Sequence, residues 1–229
     1  MRKNVKIALE IIVFLAGVSI LIYPMITNYL YDKNRENLER HFNNITTENT
    51  DKRLITLYDL LNQENKKIYE THQESFIKQT VSYENSIINL SEYGLEDNII
   101  GFLKIPSIQV NLPIYLGANP ENMNHGAVHL TGTSFPIGGK NTNSVLAAHR
   151  GYYAAKMFRN IDNINIGDIL YVKNFIETLS YKAIKKEIIN PDDLQKLTIW
   201  DENDIITIIS CHPFPYNYQR YVVYFERIE

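Results

Sequence analysis

Glycine and proline are spread so unevenly along the chain that they divide it into two kinds of structure. No proline lies between Pro24 and Pro106, and Gly94 is the only glycine from residue 18 to residue 100. From Gly101 onward both recur every few positions. Both residues break helices and punctuate turns, so the first part is expected to be helical and the rest to be strands joined by loops. The division falls near residue 98. A length of 229 residues accommodates one ordinary domain and an appendage, and is too short for two large domains.

The first part opens on a long apolar run. Ile7–Ile26 is apolar apart from Glu10 and a few small polar residues, and Arg2, Lys3 and Lys6 precede it. A helix of that length reaches about 30 Å, the hydrocarbon thickness of a bilayer. A cleavable signal peptide would have a shorter apolar core and a small-x-small cleavage site, and none is evident before Tyr23-Pro24-Met25. A helix packed on the surface of a soluble body would carry a polar face, and no such face interrupts the run. Residues 1–30 are therefore expected to be a retained membrane anchor. Lys33, Arg35 and Arg40 follow the span much as basic residues lead it, so charge alone leaves the orientation tied.

Residues 31–98 are polar with helical spacing, as in Leu54, Leu57, Tyr58, Leu61 and Ile68. Glu36–Arg40 and Glu74–Lys78 add i,i+4 pairs with the acid first. Two or three helices are expected here, broken within the polar stretch Asn43–Asp51, connecting the anchor to a body and packing against it. Beyond residue 98, eight short runs rich in Ile, Val, Tyr and Phe read as strands. They are Ile99–Ile105, Gln109–Ile114, Gly126–Leu130, Val145–Ala148, Ile169–Val172, Leu179–Ile189, Ile205–Ser210 and Arg220–Ile228. A short helix is expected over Ala154–Asn160, where Ala154, Ala155, Lys156 and Met157 favour one. The fold class is mainly β, and eight strands could close into a barrel that leaves few exposed edges.

Composition excludes several functions. With 23 basic and 26 acidic residues the net charge is −3, which argues against a general nucleic-acid binder. The single cysteine, Cys211, forbids an internal disulfide and any multi-cysteine metal site. His125, His129 and the scattered acids lack ligand spacing, so no metal is expected.

Cys211 ends the apolar run Ile205–Ser210 and is followed by His212 and Pro213, so its thiol would be displayed where a strand gives way to a loop. A nucleophile fits that position, and so does a buried structural thiol. A nucleophilic cysteine needs a partner that generates or stabilises its thiolate, usually histidine. His41 and His72 lie in the polar helical region, and His125 and His129 read as structural. His212 would point to the opposite face from Cys211 if the strand continues through it. His149 ends another strand and is the best candidate base. Arg220 opens the last strand nine residues after Cys211 and could supply fixed donors to an oxyanion. A plain surface arginine satisfies the same spacing.

Taken together, these segments resemble the sortases, membrane-anchored cysteine transpeptidases of Gram-positive bacteria, and in particular the class C, pilus-assembling group. The resemblance runs over roughly residues 99–229. It is carried by Ile105-Pro106-Ser107-Ile108, by Leu112–Gly117, by His129–Gly139, and by Ala148-His149-Arg150-Gly151. It continues in Ala155-Lys156-Met157-Phe158, Asn165-Ile166-Gly167-Asp168 and Thr207–Cys211, with Arg220 beyond.

The resemblance implies a closed eight-stranded sortase barrel over residues 99–229, preceded by a helical region over 31–98 and the anchor over 1–30. It matches His149, Cys211 and Arg220 to the family's catalytic triad. Thr207 matches the threonine that opens the signature before the cysteine, Ser210 stands where threonine is usual, and His212 where a small polar residue is usual. These three are expected on the substrate side of the site.

The implied chemistry is cleavage of a Leu-Pro-x-Thr-Gly type sorting signal through a thioester. Transfer then follows to an amine, from a pilin lysine or from a peptidoglycan precursor. No cofactor is required, and the catalytic domain is expected outside the cell membrane. A non-catalytic, membrane-tethered assembly factor is the rival reading. Class C enzymes usually carry an Asp-Pro-aromatic lid and a second, C-terminal membrane helix. No Asp-Pro dipeptide occurs here, Tyr69–Tyr93 lacks proline, and the sequence stops at Glu229, so an unlidded, single-anchor variant is expected.

Overall fold

The computed structural model describes residues 2–47, 51–78, 88–151 and 155–228. Helix α1 runs from Arg2 to Thr46, and Pro24 lies inside it without ending it. Proline deprives the preceding turn of an N–H donor, yet the turn after it is reinforced. Thr27 donates its hydroxyl to the Tyr23 carbonyl at 3.1 Å, and Asn28 donates its side-chain N–H to the Pro24 carbonyl at 2.5 Å. This one helix is long and apolar enough to cross a membrane, and its apolar window is wholly unburied by the rest of the chain.

The expected break follows at the end of α1. Helix α2, Lys52–Glu70, starts on Asp51, whose carboxylate accepts the Arg53 N–H at 2.9 Å. Leu54, Leu57 and Leu61 recur at helical spacing and are buried on its inner face. Helix α3, Glu74–Lys78, is a short addition, and a single 3-10 turn at Leu90–Tyr93 leads into the first strand.

Eight strands then close a barrel in the order β1-β2-β3-β4-β7-β8-β6-β5. They are β1 Ile99–Ile105, β2 Val110–Leu116, β3 Ala127–His129, β4 Thr142–Ala147, β5 Ile169–Asn174, β6 Thr178–Ile189, β7 Asp204–His212 and β8 Gln219–Ile228. Each falls on one of the eight apolar runs, with bounds that shift by a few residues. Helix α4, Pro120–His125, joins β2 to β3, which lie parallel, as do β4 and β7; the remaining neighbours are antiparallel.

The register fixes two rims. Ile105 faces Val110, Val128 faces Ala147, Cys211 faces Arg220, and Arg220 faces Ile189. Strands β1, β4, β6 and β7 therefore end, and β2, β3, β5 and β8 begin, at one rim, here the upper one.

The helices pack on the outside of this barrel. Phe42 of α1 meets Phe102 edge-on at 5.5 Å between ring centres, and Tyr58 of α2 meets Phe175 at 6.5 Å. Phe42, Leu54, Leu57 and Leu61 join the same buried cluster as Ile100, Phe102 and Val172.

One local expectation is corrected. Ala155 forms an isolated β-bridge and residues 157–160 form turns, followed by a 3-10 turn at Ile161–Asn163, where a helix over Ala154–Asn160 was expected; Ala154 itself lies outside the described residues. Helix propensity there is overridden by burial. Met157 takes a φ of 41°, Phe158 is fully buried, and the Phe158 N–H bonds back to the His149 carbonyl at 3.1 Å. The segment is folded onto the end of β4.

Candidate active site

Strand pairing, with two hydrogen bonds just beyond it, assembles the site. Cys211 and Arg220 are directly opposed across β7 and β8. Opposed residues of an antiparallel pair share a face, with Cβ atoms about 4.5–5.5 Å apart. His149 arrives from β4, which lies parallel to β7. Just beyond their last register pair, the Ala148 N–H donates to the Ile209 carbonyl at 3.3 Å, and the Ser210 hydroxyl donates to the Ala148 carbonyl at 2.8 Å. These bonds hold the residue before His149 against the residues before Cys211. All three sequence candidates thus stand at the upper rim, each half-buried.

Strand β7 continues through His212. Alternation therefore sends His212 to the opposite face from Cys211, as expected. Arg220 donates through Nη1 to the carbonyls of Asn217 and Gln219, both at 2.9 Å. Its fork is steadied by its own loop, while Nε and Nη2 retain N–H donors. Burial pushes the His149 imidazole below the ordinary histidine range, which makes its protonated form a stronger acid.

Two of the residues expected on the substrate side are buried within the fold. Thr207 is fully buried and donates its hydroxyl to Asn143 Oδ1 at 2.7 Å, bracing β7 against β4. Ser210 is buried and bonded as above. Both residues shape the site from within, and His212 alone of the three retains partial exposure.

Arg150 carries more structure than its position beside His149 suggests. It is nearly buried, with Nη2 against Asp162 Oδ2 at 2.7 Å and Nε donating to the Arg159 carbonyl at 3.2 Å. Its Nη1 reaches the Cys211 carbonyl at 3.3 Å and His212 Nδ1 at 3.2 Å. An arginine has only donors, so His212 Nδ1 is the acceptor there and its proton sits on Nε2. Arg150 thereby ties the end of β4 to the end of β7. Arg150, Arg159, Asp162 and His212 border a groove of about 620 Å³, lined also by Pro213 and Phe214.

The face bearing Cys211 is less open than expected. Two residues back along the same faces, Ile209 and Val222 belong to a separate buried cluster with Val145, Ile189 and Tyr224. Phe76 of α3 packs into that cluster and is only 4% exposed. An apolar trough flanking the site would otherwise meet water, so an aromatic covers it without any Asp-Pro motif. Gln73 helps to fix the segment by accepting the Ile199 N–H at 2.6 Å. Gly132, at φ +84°, leaves room where a Cβ would come within 3.0 Å of the Phe76 Cβ. Residues 79–87, part of the segment expected to lack a lid, lie outside the described residues.

His129 is structural. It is buried at the end of β3, with Nε2 at 2.9 Å from the Ser134 carbonyl and its ring stacked on Phe135. Burial pushes its imidazole down to about 4. Its neutral form is thus favoured on folding, so stability is full above about pH 6.5 and falls as pH drops toward 4, by up to about 3 kcal/mol. Urea unfolding at pH 7 and pH 4.5 should show a larger acid loss in the wild type than in His129→Gln. His149 shifts in the same direction in both proteins and does not affect the comparison.

Among the described residues, no group of three or more metal-ligating side chains occurs.

Comparison with known proteins bears on this architecture. The family model described as "Sortase domain" matches residues 103–228, more than half of the chain. Sortase D of Bacillus subtilis is 28% identical over 131 residues, covering 56% of this chain and 63% of that relative, just under two thirds of its length. Among solved structures, sortase C1 of group B Streptococcus (GBS) Pilus Island 1 superposes with a TM-score of 0.77 at 29% identity, covering 85% of this chain and 98% of that one. Sortase C from Clostridium perfringens SM101 gives a TM-score of 0.68 at 28% identity, covering 86% and 99%. The matched segment includes every strand but the start of β1, and it carries the opposed cysteine and arginine at the upper rim. The chain belongs to the sortase family.

Proposed function

We propose that this protein is a membrane-anchored cysteine transpeptidase that cleaves an LPxTG-like sorting signal after threonine and passes the acyl group to an amine. The observation that carries the reading is the register pair Cys211–Arg220, with the β4 end that bears His149 bonded to the same end of β7. The Cys211 thiolate attacks the threonine carbonyl carbon, and Arg220 donates to the oxyanion. The threonine–glycine C–N bond breaks as the His149 imidazolium gives its proton to the leaving amine. A thioester remains on Cys211. An incoming amine attacks it, His149 takes the proton, and the thiolate departs.

In this reading residues 1–30 anchor the protein in the cell membrane, residues 31–98 form a helical support, and residues 99–229 form an extracellular catalytic barrel. The likeness to a sortase of a pilus island supports a pilin lysine as the natural amine. The alternative acceptor is a peptidoglycan precursor. Full-length protein in detergent, given a Leu-Pro-x-Thr-Gly peptide and either a lysine-bearing pilin or oligoglycine, should form an amide product with the pilin lysine. Product with oligoglycine only would identify a wall-anchoring enzyme. Hydrolysis alone in both reactions would remove the transpeptidase reading.

A further inference from the structure

Helix α1 descends the outside of the barrel from the upper rim to the lower. Tyr31 donates its hydroxyl to the His125 carbonyl at 2.8 Å, just before β3 begins at the upper rim. Eight residues later Glu39 accepts from Asn111 at 2.8 Å and pairs with Lys104 at 3.6 Å. Phe42 then meets Phe102, and Asn43 and Thr46 approach Lys173–Thr178 at the lower rim. From Tyr31 to Thr46 the helix rises about 22 Å, so the helix before Tyr31 projects beyond the upper rim. No charged residue occurs between Glu10 and Asp32, and the exposed Tyr29 stands at the water end of that stretch. The edge of the span therefore lies at the level of the upper rim, where Cys211, His149 and Arg220 stand.

That rim is also where large apolar side chains face water. Outside the span, the exposed large hydrophobic residues among those described are Ile55, Ile166, Tyr171, Ile188, Phe214, Tyr216 and Tyr218. Ile55 lies near the start of α2, close to the lower rim. Phe214, Tyr216 and Tyr218, exposed by 62%, 76% and 63%, form one loop between β7 and β8 at the upper rim. Ile166, 58% exposed, precedes β5 at the same rim, and Ile188 lies one residue before the end of β6. A cluster of exposed apolar groups marks an interaction surface. Aromatic residues with a polar tip are favoured at the headgroup level of a bilayer.

Resting on the membrane-anchor reading above, we propose that the upper rim lies on the bilayer surface, with Phe214, Tyr216 and Tyr218 seated among the lipid headgroups. The barrel is then held at two places, the span and the β7–β8 loop, and its thiol faces the layer of water just outside the membrane. A sorting signal presented close to the membrane would meet Cys211 with little reach.

The test uses full-length protein in phosphatidylcholine vesicles, with Cys211→Ala removing the native thiol and one new cysteine carrying an environment-sensitive fluorophore. The labelled variants are Tyr216→Cys in the loop, Ile12→Cys in the span and Ile55→Cys at the lower rim. Lipids bearing a doxyl quencher near the headgroup should reduce emission from positions 216 and 12, and leave position 55 unchanged. Quenching at 12 without quenching at 216 would overturn the proposal while preserving the anchor. Absence of quenching at 12 would overturn the anchor and the proposal with it. If position 216 instead ignores the lipid and becomes shielded from iodide only when a pilin is added, the loop is a protein-docking surface and the proposal fails.

Discussion

Replacing Arg220 by alanine is expected to lower kcat/KM for a sorting-signal peptide by about 100- to 1,000-fold, the usual loss when a preorganised oxyanion donor is removed. The expectation rests on register: Arg220 is the residue opposed to Cys211, and no longer reach or loop movement is needed to bring them onto one face. Its guanidinium is also held in place before substrate arrives, since Nη1 already donates to the Asn217 and Gln219 carbonyls. Lysine at this position keeps the charge but loses the fork that those carbonyls steady, so Arg220→Lys should recover only a small part of the rate. Strand β8 stays paired with β6 and β7 in both variants, and their thermal unfolding should stay close to that of the wild type. Full activity in a folded Arg220→Ala protein would reduce Arg220 to a loop-bracing residue.

The second large effect concerns Phe76. It is the aromatic that covers the apolar trough beside Cys211, together with Val222 and Ile209. Truncating a buried phenylalanine removes about 3–5 kcal/mol of packing. Only part of that loss bears on the open form of the cover, so iodoacetamide labelling of Cys211 in Phe76→Ala should accelerate by on the order of 10- to 100-fold. The wild-type thiol should label slowly despite its partial exposure. Equal rates would mean that α3 does not control access, and would return the site to the open cleft that the missing Asp-Pro motif suggests.

The contrast between Arg220 and Phe76 shows what could be read from the chain. A strand end is a local property, visible as an apolar β-branched run meeting a loop residue. Cys211, His149 and Arg220 all stand at such ends, and closing the barrel brings those ends together. The eight strands were legible for the same reason. Phe76 is one aromatic in a polar helical stretch, and only the fold reveals that the trough it fills is built from residues between Val145 and Tyr224, far along the sequence. Arg150 was visible as a neighbour of His149, but its bonds to Cys211, His212 and Asp162 depend on two other segments, the end of β7 and the turn at Ile161–Asn163. Thr207 and Ser210 lie on β7 within four residues of Cys211. Their hydroxyls are turned inward by hydrogen bonds to Asn143 and Ala148, which no local pattern encodes. The turn region after Lys156 follows the same logic, since Phe158 is taken into the core before a helix can form.

The central claim is that Cys211 carries the acyl group. Intact-mass spectrometry of the full-length protein, quenched in acid after mixing with a Leu-Pro-x-Thr-Gly peptide and no added amine, tests it most directly. The wild type should gain the mass of the peptide up to its threonine, the adduct should map to Cys211 and be released by hydroxylamine, and Cys211→Ala should show none. An adduct that persists in Cys211→Ala, or a wild type that cleaves the peptide without ever acquiring a hydroxylamine-sensitive mass at residue 211, would contradict it.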